Sequence, residues 1–220
     1  MPSVQFIFDK EKDLYNIWRT ANPQIDDRDF SDVLPKEILK ITKGKEFAKC
    51  RLDIEKFYIK TYNHQFLNVF LETVRKFWSF IEKDYFTRLS DITKKPVYTE
   101  KFTAYLTTIF KCPYDYKENW FMFNFFSSIF DILKTCGHEI MHLQFHHYFW
   151  NDIEKQIGKD KTDTLKEALT VLLNLEFRDL WFSTDRGYSE HKELREFIVK
   201  TWEEKKDFQL LLDKCVNYLK

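Results

Sequence analysis

The sequence predicts an α+β fold that is mostly helical, with a small β-sheet between two groups of helices. Apolar residues recur at helical spacing from about residue 9 to residue 91 and again after residue 127, whereas the stretch between is rich in β-branched and aromatic residues. The chain has only 4 Gly and 5 Pro in 220 residues, so long elements joined by short links are expected. The order helices, sheet, helices is typical of an α+β domain.

The N-terminal part of the chain is predicted to be helical. Pro23 and Pro35 divide the first fifty residues into short helical pieces, because a proline disfavours helix at the residue before it. A long amphipathic helix follows, in which apolar residues from Phe66 to Ile81 recur every three or four positions.

Two segments in the middle of the chain are predicted to be strands. Residues 97–111 are rich in Val, Tyr, Phe, Thr and Ile, and residues 119–125 form a short aromatic run. The turn-like sequence Cys-Pro-Tyr-Asp at residues 112–115 separates them. Two or three strands are therefore expected here.

Further helices are predicted to complete the chain. Ser127 and Ser128 can cap a helix that continues through Trp150, because serine side chains accept hydrogen bonds from the free N–H groups of a first turn. Gly158 then interrupts the pattern. Three more helices are expected at about residues 164–181, 189–203 and 207–219. We expect residues 1–62 to form a helical cap on a main domain of residues 63–220, as one compact unit.

The composition limits the expected partners and location. The 35 basic and 35 acidic residues give a formal net charge of +0, so there is no electrostatic reason to bind nucleic acid or an anionic membrane. No stretch is apolar and long enough to span a bilayer, and no secretory signal is evident. The four cysteines form no C-x-x-C, which is typical of reduced thiols. A cytoplasmic protein is expected, and the sequence does not specify its oligomeric state.

The clearest chemical motif is an H-E-x-x-H at residues 138–142. On a helix, His138 and His142 lie one turn apart on the same face, where two neutral imidazoles can bind one zinc ion. Glu139 is rotated by about 100° from His138, so its carboxylate can face a metal-bound water without binding the metal. The residue frequencies of this chain would produce the string by chance about 0.01 times, so the motif indicates a metal site.

A catalytic zinc site needs a third protein ligand and an open position for water. The pattern H-E-x-x-H-x-x-G-x-x-H does not apply, because Phe145 and Tyr148 stand where its glycine and third histidine would be. His146 and His147 follow closely, but His146 continues too far along the same helix face to complete a compact site. Both are interpreted as flanking groups.

The better candidate for the third ligand is Glu167. It follows His142 on the next predicted helix, and this arrangement resembles the gluzincin zinc metallopeptidases, in which a glutamate follows H-E-x-x-H on an antiparallel helix. The resemblance implies a zincin-like fold and one zinc ion per chain, held by His138, His142 and Glu167, with Glu139 as the catalytic residue. Glu176 is the next choice for the third ligand.

The sequence departs from the family pattern at one position. Some gluzincins carry an aspartate four residues after the ligand glutamate to hold a zinc histidine, and Val171 stands there in this chain. The candidates for that contact are Thr170, Asn174 and Asp179. Glu167 also has a purely structural interpretation, because Thr164-x-x-Glu167 matches a capping box at the start of a helix.

The resemblance also implies how a substrate binds. In the family, the strand before the metal-binding helix is commonly a sheet edge that pairs with the substrate, and residues 119–124 occupy that position. A donor to the oxyanion is expected downstream of the glutamate, where Tyr188, and then His191, are the candidates. The structural alternative is a helix start capped by Ser189. Gly137 costs its helix about 1 kcal/mol relative to alanine, so a neighbour is expected to pack closely there.

These observations predict a zinc-dependent peptidase that hydrolyses amide bonds of a peptide or protein through a metal-activated water, with Glu139 as general base. A di-iron helical bundle is excluded because the chain has no second E-x-x-H. The alternative is a non-catalytic helical or zincin-like module that binds a protein partner. In that case the aromatic content, 18% of residues, would form the interface.

Overall fold

The structure, a computed structural model, describes residues 1–24 and 29–220. The fold of these residues is α+β and mostly helical, as predicted, with one four-stranded sheet. The strands are β1 (Ser3–Ile7), β2 (Lys101–Thr107), β3 (Tyr114–Asp115) and β4 (Trp120–Asn124). The helices are α1 (Lys10–Ala21), α2 (Lys36–Thr42), α3 (Phe47–Tyr62), α4 (Phe66–Thr93), α5 (Ile129–Tyr148), α6 (Trp150–Ile157), α7 (Lys159–Leu169), α8 (Leu172–Glu176), α9 (Arg178–Trp181), α10 (Lys192–Lys205) and α11 (Phe208–Leu219).

Ser3–Ile7 form a strand of the sheet, which the predicted helical cap over residues 1–62 did not include. β1 pairs with β2 in parallel, with Val4 opposite Phe102 and Phe6 opposite Ala104. Phe6 is buried in the main core. This long-range contact stabilises a strand that the helical pattern of the residues after it did not predict. The sheet therefore draws strands from both sides of the predicted domain boundary.

The strand order is β1-β2-β4-β3, with β4 between two neighbours. The expectation that residues 119–124 form a sheet edge is therefore wrong. β3 pairs with β4 in the antiparallel direction, with Tyr114 opposite Phe121 and Asp115 opposite Trp120. Asp115 Oδ1 accepts hydrogen bonds from two backbone N–H groups of the turn that follows, so the chain reverses after β3 and not within residues 112–115. The edge strand on this side is β3.

Helices cover both faces of the sheet. α4 and α5 pack on one face, where Phe102, Phe121 and Phe123 belong to the main core. α1 lies against the other face and forms a second, smaller core with α2 and α3. The predicted long amphipathic helix is confirmed as α4, and Ser128 caps α5 by accepting a hydrogen bond from the backbone N–H of Asp131 at 3.2 Å.

The predicted helix over residues 164–181 is divided into three, α7, α8 and α9. α7 already begins at Lys159, directly after Gly158, so Thr164 is not at a helix start and the capping-box interpretation of Glu167 is wrong. Thr170 ends α7, and its hydroxyl donates a hydrogen bond to the carbonyl of Glu167 at 2.7 Å. Among the described residues, no helix combines the length and apolar character needed to cross a bilayer.

Candidate metal centre

The H-E-x-x-H lies in the interior of α5, where close packing fixes its position. A Cβ atom on Gly137 would lie 2.7 Å from Cη2 of Trp181 and 3.0 Å from Cε2 of Tyr85. The Tyr85 hydroxyl also donates a hydrogen bond to the carbonyl of Gly137 at 2.6 Å. The glycine therefore lets aromatic rings of α4 and α9 approach the back of α5, opposite the histidines.

Three candidate ligands converge on one point. His138 and His142 lie one turn apart on α5, with ring centroids 4.3 Å apart. His142 Nε2 lies 3.2 Å from Glu167 Oε1, and His138 Nε2 lies 3.7 Å from Glu167 Oε2. One ligand atom from each residue lies within 4.8 Å of the other two, which is a spacing that a single small cation can bridge.

The second choice for the third ligand, Glu176, lies elsewhere. Its Oε1 accepts hydrogen bonds from Trp202 Nε1 at 2.7 Å and from Lys206 Nζ at 2.8 Å. Glu176 thereby joins α8 to α10, and it is not part of the cluster formed by His138, His142 and Glu167.

The cluster leaves buried polar atoms without partners. His142 is 2% exposed, and neither of its ring nitrogens has a hydrogen-bond partner among the described residues. Burial lowers the pKa of His142 to about 3, so the ring is neutral at neutral pH, which is the form that binds metal. A buried polar atom without a partner costs about 1–3 kcal/mol, and a cation at the cluster would take up the lone pair of Nε2. The donor set of two imidazoles and one carboxylate fits zinc.

A carboxylate orients the other histidine. His138 Nδ1 lies 2.7 Å from Asp185 Oδ2, so Nε2 is the ring nitrogen that faces Glu167. Arg195 and Thr170 donate hydrogen bonds to Asp185 Oδ1, each at 3.1 Å. Burial alone would raise the pKa of Asp185, but the hydrogen bond from His138 and the charge of Arg195 hold it well below its usual range. Asp185 is therefore an ionised group that supports His138.

Sequence analysis did not identify Asp185. Of its three candidates for this contact, Thr170 and Asn174 bind Asp185 and not a histidine, since Asn174 exchanges hydrogen bonds with the Asp185 backbone at 2.7 Å. Asp179 instead forms a two-pronged ion pair with Arg88 at 2.6 and 2.7 Å. Asp185 lies in the irregular segment between α9 and the short 3-10 helix Ser189–His191, where no periodicity marks it.

A buried lysine was also not foreseen. Lys166 Nζ lies 3.0 Å from Glu167 Oε1 and donates hydrogen bonds to Asp163 at 2.8 Å and to the Tyr114 hydroxyl at 2.7 Å. Burial would raise the pKa of Glu167, but its neighbours His142, Lys166 and His138 hold the pKa well below its usual range. Lys166 therefore helps to hold the Glu167 carboxylate beside the two histidines.

The two histidines that follow the motif are engaged elsewhere. His146 Nε2 lies 2.9 Å from the hydroxyl of Tyr114, and its ring stacks on Trp150. His147 stacks on Tyr98 with ring centroids 4.5 Å apart. Both lie outside the three-residue cluster, as expected.

Glu139 lies beside the cluster and is 7% exposed. Its Oε2 has no hydrogen-bond partner among the described residues. Burial, together with the nearby negative charges of Glu167 and Asp185, raises the pKa of Glu139 to about 7. A carboxyl group with this pKa can both accept and donate a proton near neutral pH.

Two adjoining cavities open onto the cluster. One has a volume of about 460 Å³ and is bordered by the edge-strand segment that contains Lys111, Pro113 and Tyr114. The other, of about 630 Å³, extends along α5 towards Asp131. Tyr188 lines both cavities, as do His138 and Glu139 of the motif.

Of the two oxyanion candidates, the structure brings only Tyr188 to the cavities. His191 is not among the residues that line them, and its ring lies behind Tyr188 with centroids 5.6 Å apart. Ser189 does not cap a helix by its side chain, because α10 begins at Lys192 without a side-chain cap. The alternative prediction, a helix start capped by Ser189, is therefore wrong about the cap.

Comparison of the chain with protein-family models, curated proteins and solved structures gives no match. The function of the cluster must therefore be inferred from its own chemistry. That chemistry consists of two imidazoles and one carboxylate on a common point, an ionised aspartate behind one imidazole, and a second carboxyl group with a raised pKa beside them.

Proposed function

We propose that the protein is a zinc-dependent peptidase of the gluzincin type, with one zinc ion held by His138, His142 and Glu167. The observation that carries the proposal is the convergence of these three residues around His142, whose buried ring nitrogens make no hydrogen bond among the described residues although Nε2 lies 3.2 Å from Glu167 Oε1. A structural core histidine is normally hydrogen-bonded. A histidine that instead faces a carboxylate and a second imidazole has the surroundings of a metal ligand.

The residues around the cluster have distinct roles in this proposal. Bound zinc would lower the pKa of a water molecule and polarise a carbonyl group. Glu139, whose carboxyl group lies beside the cluster, accepts the proton from the attacking water and delivers it to the amine that leaves. Tyr188 donates a hydrogen bond to the oxygen of the scissile carbonyl. Asp185 fixes the orientation of His138, and Lys166 fixes that of Glu167.

The substrate is a peptide or protein that enters along the edge strand. The cavity of about 460 Å³ lies between α5 and the segment from Lys111 to Tyr114, and β3 is the strand at this edge of the sheet. A peptide backbone lying along this segment would reach Glu139 and Tyr188 from the same cavity. β3 takes the place in the proposal that sequence analysis gave to residues 119–124.

The first test is the zinc content of the purified protein, measured by elemental mass spectrometry. We expect one zinc per chain in the wild type and in Glu139→Gln, and its loss in His142→Ala. His147→Ala is the matched control, because this histidine lies five residues further along α5 and stacks on Tyr98. Absence of zinc from the wild type, even after zinc is supplied under reducing conditions, would overturn the proposal and favour a non-catalytic interaction module.

The second test is hydrolysis of a random peptide library, followed by mass spectrometry of the products. Cleavage by the zinc-loaded wild type that disappears in Glu139→Gln would support peptidase activity, since both proteins hold the metal. Zinc binding without any cleavage would contradict the peptidase assignment while leaving the metal centre in place.

A further inference from the structure

Two exposed phenylalanines lie together at the cavity of about 460 Å³ that opens onto the candidate metal cluster. Phe110 lines this cavity and is 59% exposed. Its ring packs against that of Phe126, which is 56% exposed, with centroids 6.0 Å apart. Exposed apolar side chains that lie next to one another, unlike single scattered ones, mark a surface that a ligand can cover. The pair therefore extends the cavity with an apolar surface.

The backbone on both sides of the pair is held in place. Ile109, directly before Phe110, is 2% exposed and belongs to the second core. The backbone N–H of Phe126 donates a hydrogen bond to Oδ1 of Asn124, the last residue of β4, at 3.0 Å. A surface that is ordered before binding loses less conformational entropy when a ligand covers it. The two rings are therefore carried by a backbone that suits binding.

The wall of the cavity around Phe110 carries little charge. Among the described residues that line the cavity, the acidic ones are Glu139 and Glu167, at the cluster itself. On the side of the edge segment the charged residue is Lys111, whose Nζ lies 5.4 Å from the ring centroid of Phe30. The remaining residues of that side are uncharged: Phe30, Phe110, Cys112, Pro113 and Tyr114. A charged ligand group would lose water here for few polar contacts, whereas an apolar group would not.

The same cavity contains the residues proposed to act on the scissile bond. His138, Glu139 and Tyr188 line it together with Phe110. Successive residues of an extended peptide are about 3.3–3.6 Å apart. A peptide with its scissile bond at the cluster can therefore place a side chain only a few residues away against Phe110.

We propose that Phe110, extended by Phe126, determines substrate specificity by binding a large apolar side chain within about three residues of the scissile bond. This inference rests on the proposed peptidase function for the identity of the substrate, but binding of the side chain can be measured without hydrolysis. Large apolar side chains are mostly buried in folded proteins. The substrates are therefore short peptides or unfolded segments with an apolar residue near the cleaved bond.

Binding is tested by fluorescence polarisation with the full-length Glu139→Gln variant, so that the probe is not consumed. The probe is the peptide Gly-Ser-Ala-Phe-Ala-Ser-Gly with fluorescein at its N-terminus, and the comparison peptides have Ala or Glu in place of the central Phe. We expect the Phe peptide to bind at least about fivefold more tightly than either comparison peptide, with or without added zinc. Equal binding of the three peptides, or tightest binding of the Glu peptide, would overturn the proposal.

A second pair of exposed phenylalanines provides the matched control. Phe130 is 46% exposed and Phe182 is 74% exposed, with ring centroids 6.1 Å apart, and neither lines this cavity. In the Glu139→Gln protein, Phe110→Ala should weaken binding of the Phe peptide at least about fivefold and Phe182→Ala less than about twofold. Phe110→Leu should keep most of the affinity, because an apolar side chain remains. Equal losses in Phe110→Ala and Phe182→Ala would overturn the proposal.

The specificity site and the peptidase function can fail separately. If binding depends on Phe110 as expected but the zinc-loaded wild type cleaves no peptide, the binding site stands and the peptidase function is wrong. If a random peptide library is cleaved, large apolar residues should be enriched at a position within about three residues of the cleaved bond. Phe110→Ala should reduce this enrichment and Phe182→Ala should not. Cleavage without the enrichment, or an enrichment that Phe110→Ala leaves unchanged, would overturn the specificity role alone.

Discussion

Two buried polar groups of residues, one around Asp13 and one around His142, differ in whether their polar atoms make hydrogen bonds within the protein. Asp13 of α1 is fully buried, and its oxygens accept hydrogen bonds from Thr107 Oγ1 at 2.6 Å, from the backbone and hydroxyl of Thr108 at 2.8 and 2.7 Å, and from Tyr62 at 2.9 Å. At the candidate metal cluster, by contrast, Glu139 Oε2 and both ring nitrogens of His142 make no hydrogen bond among the described residues.

The difference separates a structural role from a functional one. The four donors around Asp13 come from α3 and from the end of β2, so this carboxyl group joins the N-terminal helices to the sheet. A buried polar network whose hydrogen bonds are all made within the protein does not need a bound ligand or ion to complete it. His142 and Glu139 of α5 are also buried, but their lone pairs without hydrogen bonds point to groups that the polypeptide itself does not supply.

The comparison is tested most strongly by replacing a carboxylate with an amide at each of the two sites. Glu139→Gln removes a proton acceptor without changing the shape of the side chain, so we expect kcat/KM for peptide hydrolysis to fall by about 10²- to 10⁴-fold. The melting temperature should stay within about 1 °C of the wild type, because Oε2 of Glu139 makes no hydrogen bond that the change would break. Steady-state kinetics and thermal unfolding, with zinc content matched, measure the two effects.

Asp13→Asn should give the opposite result. The new amide group would place donors against the donors of Thr107 and Thr108, so we expect the free energy of unfolding to fall by about 2–4 kcal/mol. Urea unfolding measures this loss. Activity of the folded fraction should be unchanged, and a loss of activity larger than the loss of folded protein would contradict the purely structural role of Asp13.

Close packing behind the histidines predicts a smaller effect. Gly137→Ala would bring a Cβ to within 2.7 Å of the Trp181 ring, and relief of this overlap is expected to cost about 1–3 kcal/mol. Gly158→Ala is the contrasting variant, since a Cβ there meets open space but the backbone has a φ of +80°. If the two variants lose equal stability but only Gly137→Ala loses zinc affinity, the packing behind α5 positions the metal ligands.

The smallest effect concerns the rejected ligand candidate Glu176. Burial opposes its ionisation, but hydrogen bonds from Lys206 and Trp202 lower its pKa below the ordinary value. A carboxyl group with a lowered pKa in the folded state stabilises the protein above its unfolded pKa of about 4.3 and loses this contribution as the pH falls. Glu176→Gln should therefore lose about 0.5–1 kcal/mol at pH 7 and almost nothing at pH 3, as measured by urea unfolding. A loss that does not depend on pH would show that ionisation of Glu176 is irrelevant.

Sequence reasoning succeeded where the signal is local. The helical periodicity of α4 and α5 and the cap at Ser128 depend on residues within a few turns of one another, so they could be read directly from the chain. The pair His138 and His142 is placed by helix geometry alone. Glu167 could be proposed from its position after the motif, and the structure brings it to the two histidines.

Sequence reasoning failed where long-range contacts decide the structure. β1 has only five residues and forms because Phe6 finds a place in a distant core. β3 has two residues and was hidden within an apparent turn. Asp185 lies in an irregular segment, and its carboxylate is placed by Arg195 and Thr170, residues on other elements. No local pattern marks any of these three features.

The pairing of β1 with β2 also affects the order in which the protein folds. Ser3 lies opposite Lys101 and Ile7 opposite Tyr105, so β1 is synthesised almost a hundred residues before its partner β2. Contacts this distant in sequence slow folding, and an unpaired strand is exposed to other chains in the meantime. Until β2 has been synthesised, the unpaired backbone groups of β1 can therefore pair with a strand of another chain.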